Sequence, residues 1–212
     1  MRHLNPIDQF IVQTDHALRT IFGTPVTTER DNPSNDIAES TLSDVERKLS
    51  SSLMRVNHSG EVSAQALYQG QALTARLDKV RDSMRRAALE ENDHLAWTEQ
   101  RLQELSSQKS ILNPIWYCGS FAIGAVAGLM GDKWSLGFVA ETEHQVIRHL
   151  DEHLKKLPKN DLRSEAVLQL MKIDEAHHAT VALEGGGAEL PWPVQKLMTA
   201  MSKVMTTSAF YV

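Results

Sequence analysis

The chain has 212 residues, with 22 Lys and Arg against 27 Asp and Glu and a formal charge of −5. That is room for one sizeable core, with no cationic excess to grip nucleic acid. A single cysteine, Cys118, excludes an internal disulfide and any cysteine-built zinc or iron–sulfur site within one chain, and it suits a reducing compartment.

The N-terminus, "MRHLNPIDQFIVQTDHALRTIFG", shows neither the uninterrupted apolar run nor the cleavage site of a signal peptide, so an intracellular protein is expected. Ile7, Phe10, Ile11, Leu18, Ile21 and Phe22 recur at helical spacing, which predicts an amphipathic helix over 7–22 stopped by Gly23. A polar linker follows, so residues 1–42 read as a helix and linker ahead of a main domain at 43–212. Ser43-x-x-Glu46 is a capping-box pattern that opens a helix to about residue 75. Asp78 is placed to cap the next, reaching about Leu105.

Pro114 begins an uncharged stretch, "PIWYCGSFAIGAVAGLMG". With its preceding residues it approaches the span of a bilayer, but Pro114 and four glycines interrupt it. Ser120, Gly124 and Gly128 repeat every four residues, a face suited to close helix contact. Together with residues 7–22 this stretch fits a protein lying on a membrane surface, and ordinary core packing would fit it equally. Asp132 starts a helix to about Leu154, and another runs from about Leu162 to Glu184, ended by Gly185-Gly186-Gly187. A last amphipathic piece, "PWPVQKLMTAMSKVM", closes the chain. Strand signals are almost absent. Four long helices joined mostly by short loops predict an all-α bundle in which one long connection carries the apolar stretch.

Three Glu-x-x-His pairs lie on these helices: Glu91/His94, Glu141/His144 and Glu175/His178. Helical phase separates them, because residues three, four and seven apart share a face. Glu91 shares its face with Met84, Ala87, Ala88 and Leu95, and Glu175 with Leu168, Met171, Ala179 and Ala182. Glu141 instead has His144, Gln145 and Arg148, a polar set, whereas its neighbour Glu143 has Leu136, Val139, Val146, Ile147 and Leu150. Glu61 has Met54, Ala64 and Tyr68 beside Asn57, His58 and Gln65. Glu90 shares its face with Ser83, Arg86 and Asp93 and is set aside.

Four consecutive helices therefore each turn a glutamate inward, and the second and fourth add a histidine one turn on. Four buried carboxylates need compensation. Two divalent cations, with two imidazoles completing the ligand set, supply it. Oxygen and imidazole donors favour iron or manganese. The predicted ligands are Glu61, Glu91, His94, Glu143, Glu175 and His178, with Asp93 and Asp174 as candidate partners behind them. Such centres store iron, disproportionate peroxide or activate dioxygen.

The stretches "RVNHSGEVSAQALYQGQ" (55–71), "EENDH" (90–94), "NPIWYCGSFAIGAVAGLMG" (113–131) and "DEAHH" (174–178) closely resemble the demethoxyubiquinone hydroxylase family of ubiquinone biosynthesis. The resemblance runs from about residue 43 to the C-terminus. It implies a ferritin-like bundle with two iron ions, peripheral on the cytoplasmic side of the cell membrane. It further implies hydroxylation of a polyprenyl methoxy-methyl-benzoquinol with O2, one oxygen atom entering the ring and the other leaving as water. The family's ligands fall on the six residues already selected. One departure is that animal members carry a His-His-Tyr stretch where this chain has Arg148-His149-Leu150, so a role for that tyrosine does not carry over. His149 remains a candidate outer-layer residue, though it sits about 120° from the Glu143 face. A homo-oligomer or a ubiquinone-biosynthesis complex also fits the resemblance. No Gly-rich dinucleotide loop is present, so electrons come from an external reductant, for which the resemblance implies NADH. A storage protein would have no use for the apolar stretch, and a tRNA-modifying hydroxylase would need a basic patch.

Overall fold

The structure is a computed structural model. It describes residues 5–28 and 30–212, apart from the side chains of Pro6, Gln9 and Phe10, so the expectation for Phe10 lies outside the described residues. Among them are seven helices and no strand: α1 Pro6–Phe22, α2 Asp44–Thr74, α3 Asp78–Glu104, α4 Asn113–Leu129, α5 Asp132–Lys156, α6 Leu162–Glu184 and α7 Trp192–Tyr211.

The predicted capping box opens α2, where the Ser43 side chain accepts from the Glu46 N–H and Glu46 accepts from the Ser43 N–H. A second box, Asn5 with Asp8, opens α1. The expectation that Asp78 caps α3 is corrected. Asp78 is the first helical residue and pairs with Arg81, while Leu77 holds the cap position without a side-chain bond. The N–H groups of Arg76 and Leu77 donate instead to Asp132, at 3.0 and 2.8 Å. A carboxylate from the start of α5 thus serves the start of α3, because the chain brings both to one end of the bundle.

Helix α4 explains how. A Cβ added to Gly124 would lie 2.3 Å from the Leu67 carbonyl oxygen, and one on Gly70 would lie 2.3 Å from that of Phe121. One on Gly128 would meet Thr74. Rising numbers in α4 meet rising numbers in α2, so the two run parallel with their backbones almost touching. The long crossover returns the chain to the end of the bundle where α2 stops, and α5 starts antiparallel to α2, with Ser135 beside Gln71 and His153 beside Asn57. The small-residue stripe therefore serves helix packing.

None of the described helices is long and apolar enough to cross a membrane. The outer face of α4 nevertheless leaves Ile115, Val126, Leu129 and Met130 exposed. Helix α1 rests on α2 and α4. Its Ala17 and Ile21 pack on Val62, Ala66, Leu95 and Tyr117, while Ile7, Ile11, Leu18 and Phe22 stay exposed.

Residues 24–28 and 30–42 form a strap laid over α3 and α6. Asn32 donates to Gln100 at 2.9 Å, and Glu39 accepts from Arg101 at 2.6 Å. Arg101 is almost fully buried and also binds Glu104, Asp161 and Ser164, tying the strap to the start of α6.

Candidate metal centre

Between the two main cores, one built on Leu53, Trp97, Leu150 and Leu168 and the other on Tyr68, Met84, Val139 and Ala182, the six predicted ligands meet. Glu61, Glu91, Glu143 and Glu175 are each at most 3% exposed, and His94 and His178 at most 6%. Ligand atoms of Glu61, Glu91, His94 and Glu175 lie within 4.8 Å of one another, and so do those of Glu143, Glu175 and His178.

The two Glu-x-x-His turns face each other. His94 Nδ1 lies 3.1 Å from Glu91 Oε2, 3.3 Å from Glu175 Oε1 and 3.4 Å from Glu61 Oε2. His178 Nδ1 lies 3.3 Å from both Glu175 Oε2 and Glu91 Oε1. Glu91 and Glu175 thus each present one oxygen to either imidazole, so they straddle the centre. Glu61 lies on the His94 side and Glu143 on the His178 side.

Behind the ring lies a set of braces. His94 Nε2 bonds Asp174 Oδ2 at 2.9 Å, and His178 Nε2 bonds Glu90 Oε2 at 2.9 Å. A carboxylate can only accept, so each Nε2 carries a proton; each Nδ1 faces carboxylate oxygens of the centre in turn, and its proton is the one a cation would displace. Asp174 and Glu90 immediately precede Glu175 and Glu91, so each motif braces the other's histidine across the bundle. Helical phase missed Glu90 because its own face is polar. The signal available was the repeat of two acids ahead of x-x-His in "EENDH" and "DEAHH".

Asp93 reaches no ligand. It is fully buried and receives the Thr28 backbone N–H, the Thr28 hydroxyl and Arg30. His149 lies against His153 with ring centroids 3.9 Å apart and planes tilted by 57°, and its Nε2 is buried without a hydrogen bond; no bond joins it to any of the six. Glu141 pairs with Gln145 and Arg148 outside the cluster. Asn57 and His58 of "RVNHSGE" also work elsewhere, on His153 and on Asn113 at the start of α4.

Electrostatics define the donor set. Burial, then the neighbouring Glu91, holds the Glu61 carboxyl well above the usual range, and burial with Glu175 and Glu91 does the same to Glu143. Burial disfavours both imidazolium ions, yet the carboxylates outweigh it. Glu91 and the close carboxylates of Asp174, Glu175 and Glu61 raise His94, and those of Glu175 and Glu91 push His178 up to about 12. Without other cations the cluster gathers protons to offset its carboxylates. Glu61 Oε2, Glu91 Oε1 and Glu143 Oε2 are buried and receive no hydrogen bond. Buried acceptor oxygens without donors, gathered beside two imidazole Nδ1 atoms, fit two divalent cations in place of the protons the cluster holds.

The Tyr68 hydroxyl donates to Glu143 Oε1, leaving Oε2 toward the centre. Its ring stands edge-on to His178 and, with Met84, Ala87, Val139 and Ala182, lines a cavity of about 280 Å³ that His178 also borders.

Fold and site together define a helical-bundle protein whose buried carboxylates and imidazoles could hold two neighbouring cations. The chain belongs to the family described as ubiquinone biosynthesis protein COQ7, whose model matches residues 48–209. It is 60% identical to the 3-demethoxyubiquinol 3-hydroxylase of Nitrosococcus oceani, over 100% of this chain and 99% of that one. It is 57% identical to that of Nitrosospira multiformis over 97% and 99%, and 54% identical to that of Legionella pneumophila over the whole of both.

Proposed function

We propose that this chain is a monooxygenase that hydroxylates demethoxyubiquinol with O2 at a di-iron centre held by Glu61, Glu91, His94, Glu143, Glu175 and His178. The observation that carries the reading is the pair of opposed Glu-x-x-His turns, which gather both Nδ1 atoms and three carboxylate oxygens without hydrogen bonds into one buried cluster. Relatives of the same length, named for that reaction, support the substrate.

Iron, when bound, supplies the activation of dioxygen. Glu61, Glu91, Glu143 and Glu175, with the two imidazoles, would hold the ions, Glu61 lying with His94 and Glu143 with His178. Asp174 and Glu90 hold the imidazole protons away from the metals. Tyr68 fixes one oxygen of Glu143 and forms the wall between centre and cavity. The cavity's apolar lining of Met84, Ala87, Val139, Val181 and Ala182 suits a substituted quinol ring, while its size leaves the polyprenyl tail outside. Packed side chains keep bulk water from the reacting atoms.

A lipid substrate has to be met at a membrane. The exposed apolar residues of α1 (Ile7, Ile11, Leu18, Phe22) and of α4 (Ile115, Val126, Leu129, Met130) support peripheral attachment on the cytoplasmic side. An external reductant, NADH among the candidates, delivers the electrons. The test is the lipid quinone pool of a strain lacking this gene. We expect a demethoxyquinone to accumulate and to be cleared by the intact gene but not by Glu143→Ala. A normal ubiquinone pool in that strain, with no second hydroxylase present, would remove the substrate assignment.

A further inference from the structure

The bracing of His94 does not end at Asp174. Arg30, in the strap, donates through Nη1 to Asp174 Oδ2 at 2.7 Å, the same oxygen that receives His94 Nε2. Its Nε donates to Asp93 Oδ2, also at 2.7 Å. The guanidinium lies 5.0 Å over the Trp97 ring, and that ring stands 5.5 Å from the His94 imidazole. One strap residue therefore touches two acids and the aromatic wall behind a single ligand. The other half of the centre is built differently. Glu90, which braces His178, is held by Arg86, a largely exposed residue of the same helix.

We infer that Arg30 is a positioning residue for His94, so that the strap, and not the bundle alone, sets how firmly that half of the centre holds its ion. This rests on the di-iron reading above. An imidazole is a good ligand when its far nitrogen donates to a fixed carboxylate. Asp174 is partly exposed, and only a planar fork can hold it while also meeting Asp93, a geometry that lysine cannot reproduce. Without Arg30, Asp174 turns toward water and His94 gains rotational freedom. The strap itself stays in place, because Asn32 and Glu39 anchor it separately. Arg30, Asn32 and Glu39 lie outside the span matched by the family model, which begins at residue 48, whereas Asp93, His94 and Asp174 lie inside it.

The test uses full-length protein loaded anaerobically with ferrous iron and challenged with a ferrous chelator. Wild type is expected to hold two ions per chain. Arg30→Gln and Arg30→Lys should each release one of the two about 10-fold faster, the range expected for an outer partner of a metal ligand. Glu90→Gln should accelerate the other. In the metal-free protein with labelled histidines, the His94 Nε2 proton should exchange with solvent faster in Arg30→Gln, with that of His178 unchanged. Both ions leaving faster together, or neither, would overturn the inference; the first outcome marks general loosening and the second no role. A wild type that binds no iron would instead sink the di-iron reading and leave the exchange measurement to decide on Arg30.

Discussion

Glu90 Oε2 lies 2.9 Å from His178 Nε2, joining residues 88 positions apart in the chain. With its counterpart Asp174–His94 it forms a reciprocal pair, since each helix carries one ligand pair and the brace for the other's histidine. Glu90→Gln keeps the shape but can offer its donor amide to the imidazole and removes a charge. Iron affinity should fall about 10- to 100-fold, read by competition against a calibrated chelator. An unchanged affinity would show that the brace does not tune the ligand.

Tyr68→Phe should separate packing from polarity. The ring remains, but Glu143 Oε1 loses its donor in a buried site, at a cost of about 1–3 kcal/mol to the metal-free protein. Turnover should fall while two iron ions stay bound, with Mössbauer parameters changed for the ion near Glu143. Loss of both ions would make Tyr68 a requirement for assembling the centre.

Gly124→Val should destabilise the bundle through the α2/α4 contact, where a Cβ has only 2.3 Å to the Leu67 carbonyl. Overpacking of this kind costs about 1–3 kcal/mol. That corresponds to about 2–4 °C in Tm per kcal/mol for a chain of this size. Thermal unfolding followed by circular dichroism measures it. An unchanged Tm would mean that α4 can move away from α2 freely.

Acid should unfold the protein through histidines away from the candidate metal centre. Burial holds His58 near about 3, with Lys109 adding to the effect. Burial also holds His149 near about 4, and burial with His149 and Lys156 holds His153 near about 2. The unfolded chain takes up these protons near pH 6.5, and the folded chain refuses them until far lower. Their contribution to stability is therefore complete above pH 6.5 and is lost as pH falls, that of His149 by about 4, that of His58 by about 3 and that of His153 by about 2. Together they amount to about 4 kcal/mol per pH unit at the steepest. His149→Phe should reduce that slope by about a third, measured by urea titration at a series of pH values. Equal slopes would rule out His149 as a contributor.

The sequence by itself determined the amphipathic helix at 7–22, the four long helices of the bundle and, through the 3.6-residue period, the six residues that meet at the centre. Periodicity reports which face of a helix is apolar, and a glutamate on that face is conspicuous. Glu143 was separable from Glu141 on this ground alone. What only the tertiary structure decided are the relations between faces. Glu90 sits on a polar face of α3, and nothing local says that His178 borders it. Asp132 serves α3 because α4 runs parallel to α2, and that direction follows from the close approach of Gly70, Gly124 and Gly128 rather than from any one segment. Arg30 lies in a linker without periodicity, so its reach to Asp174, 144 positions away, had no local signature. Helical phase is a property of one segment and is written locally. Which carboxylate meets which imidazole depends on how separate segments pack, and the whole chain sets that at once.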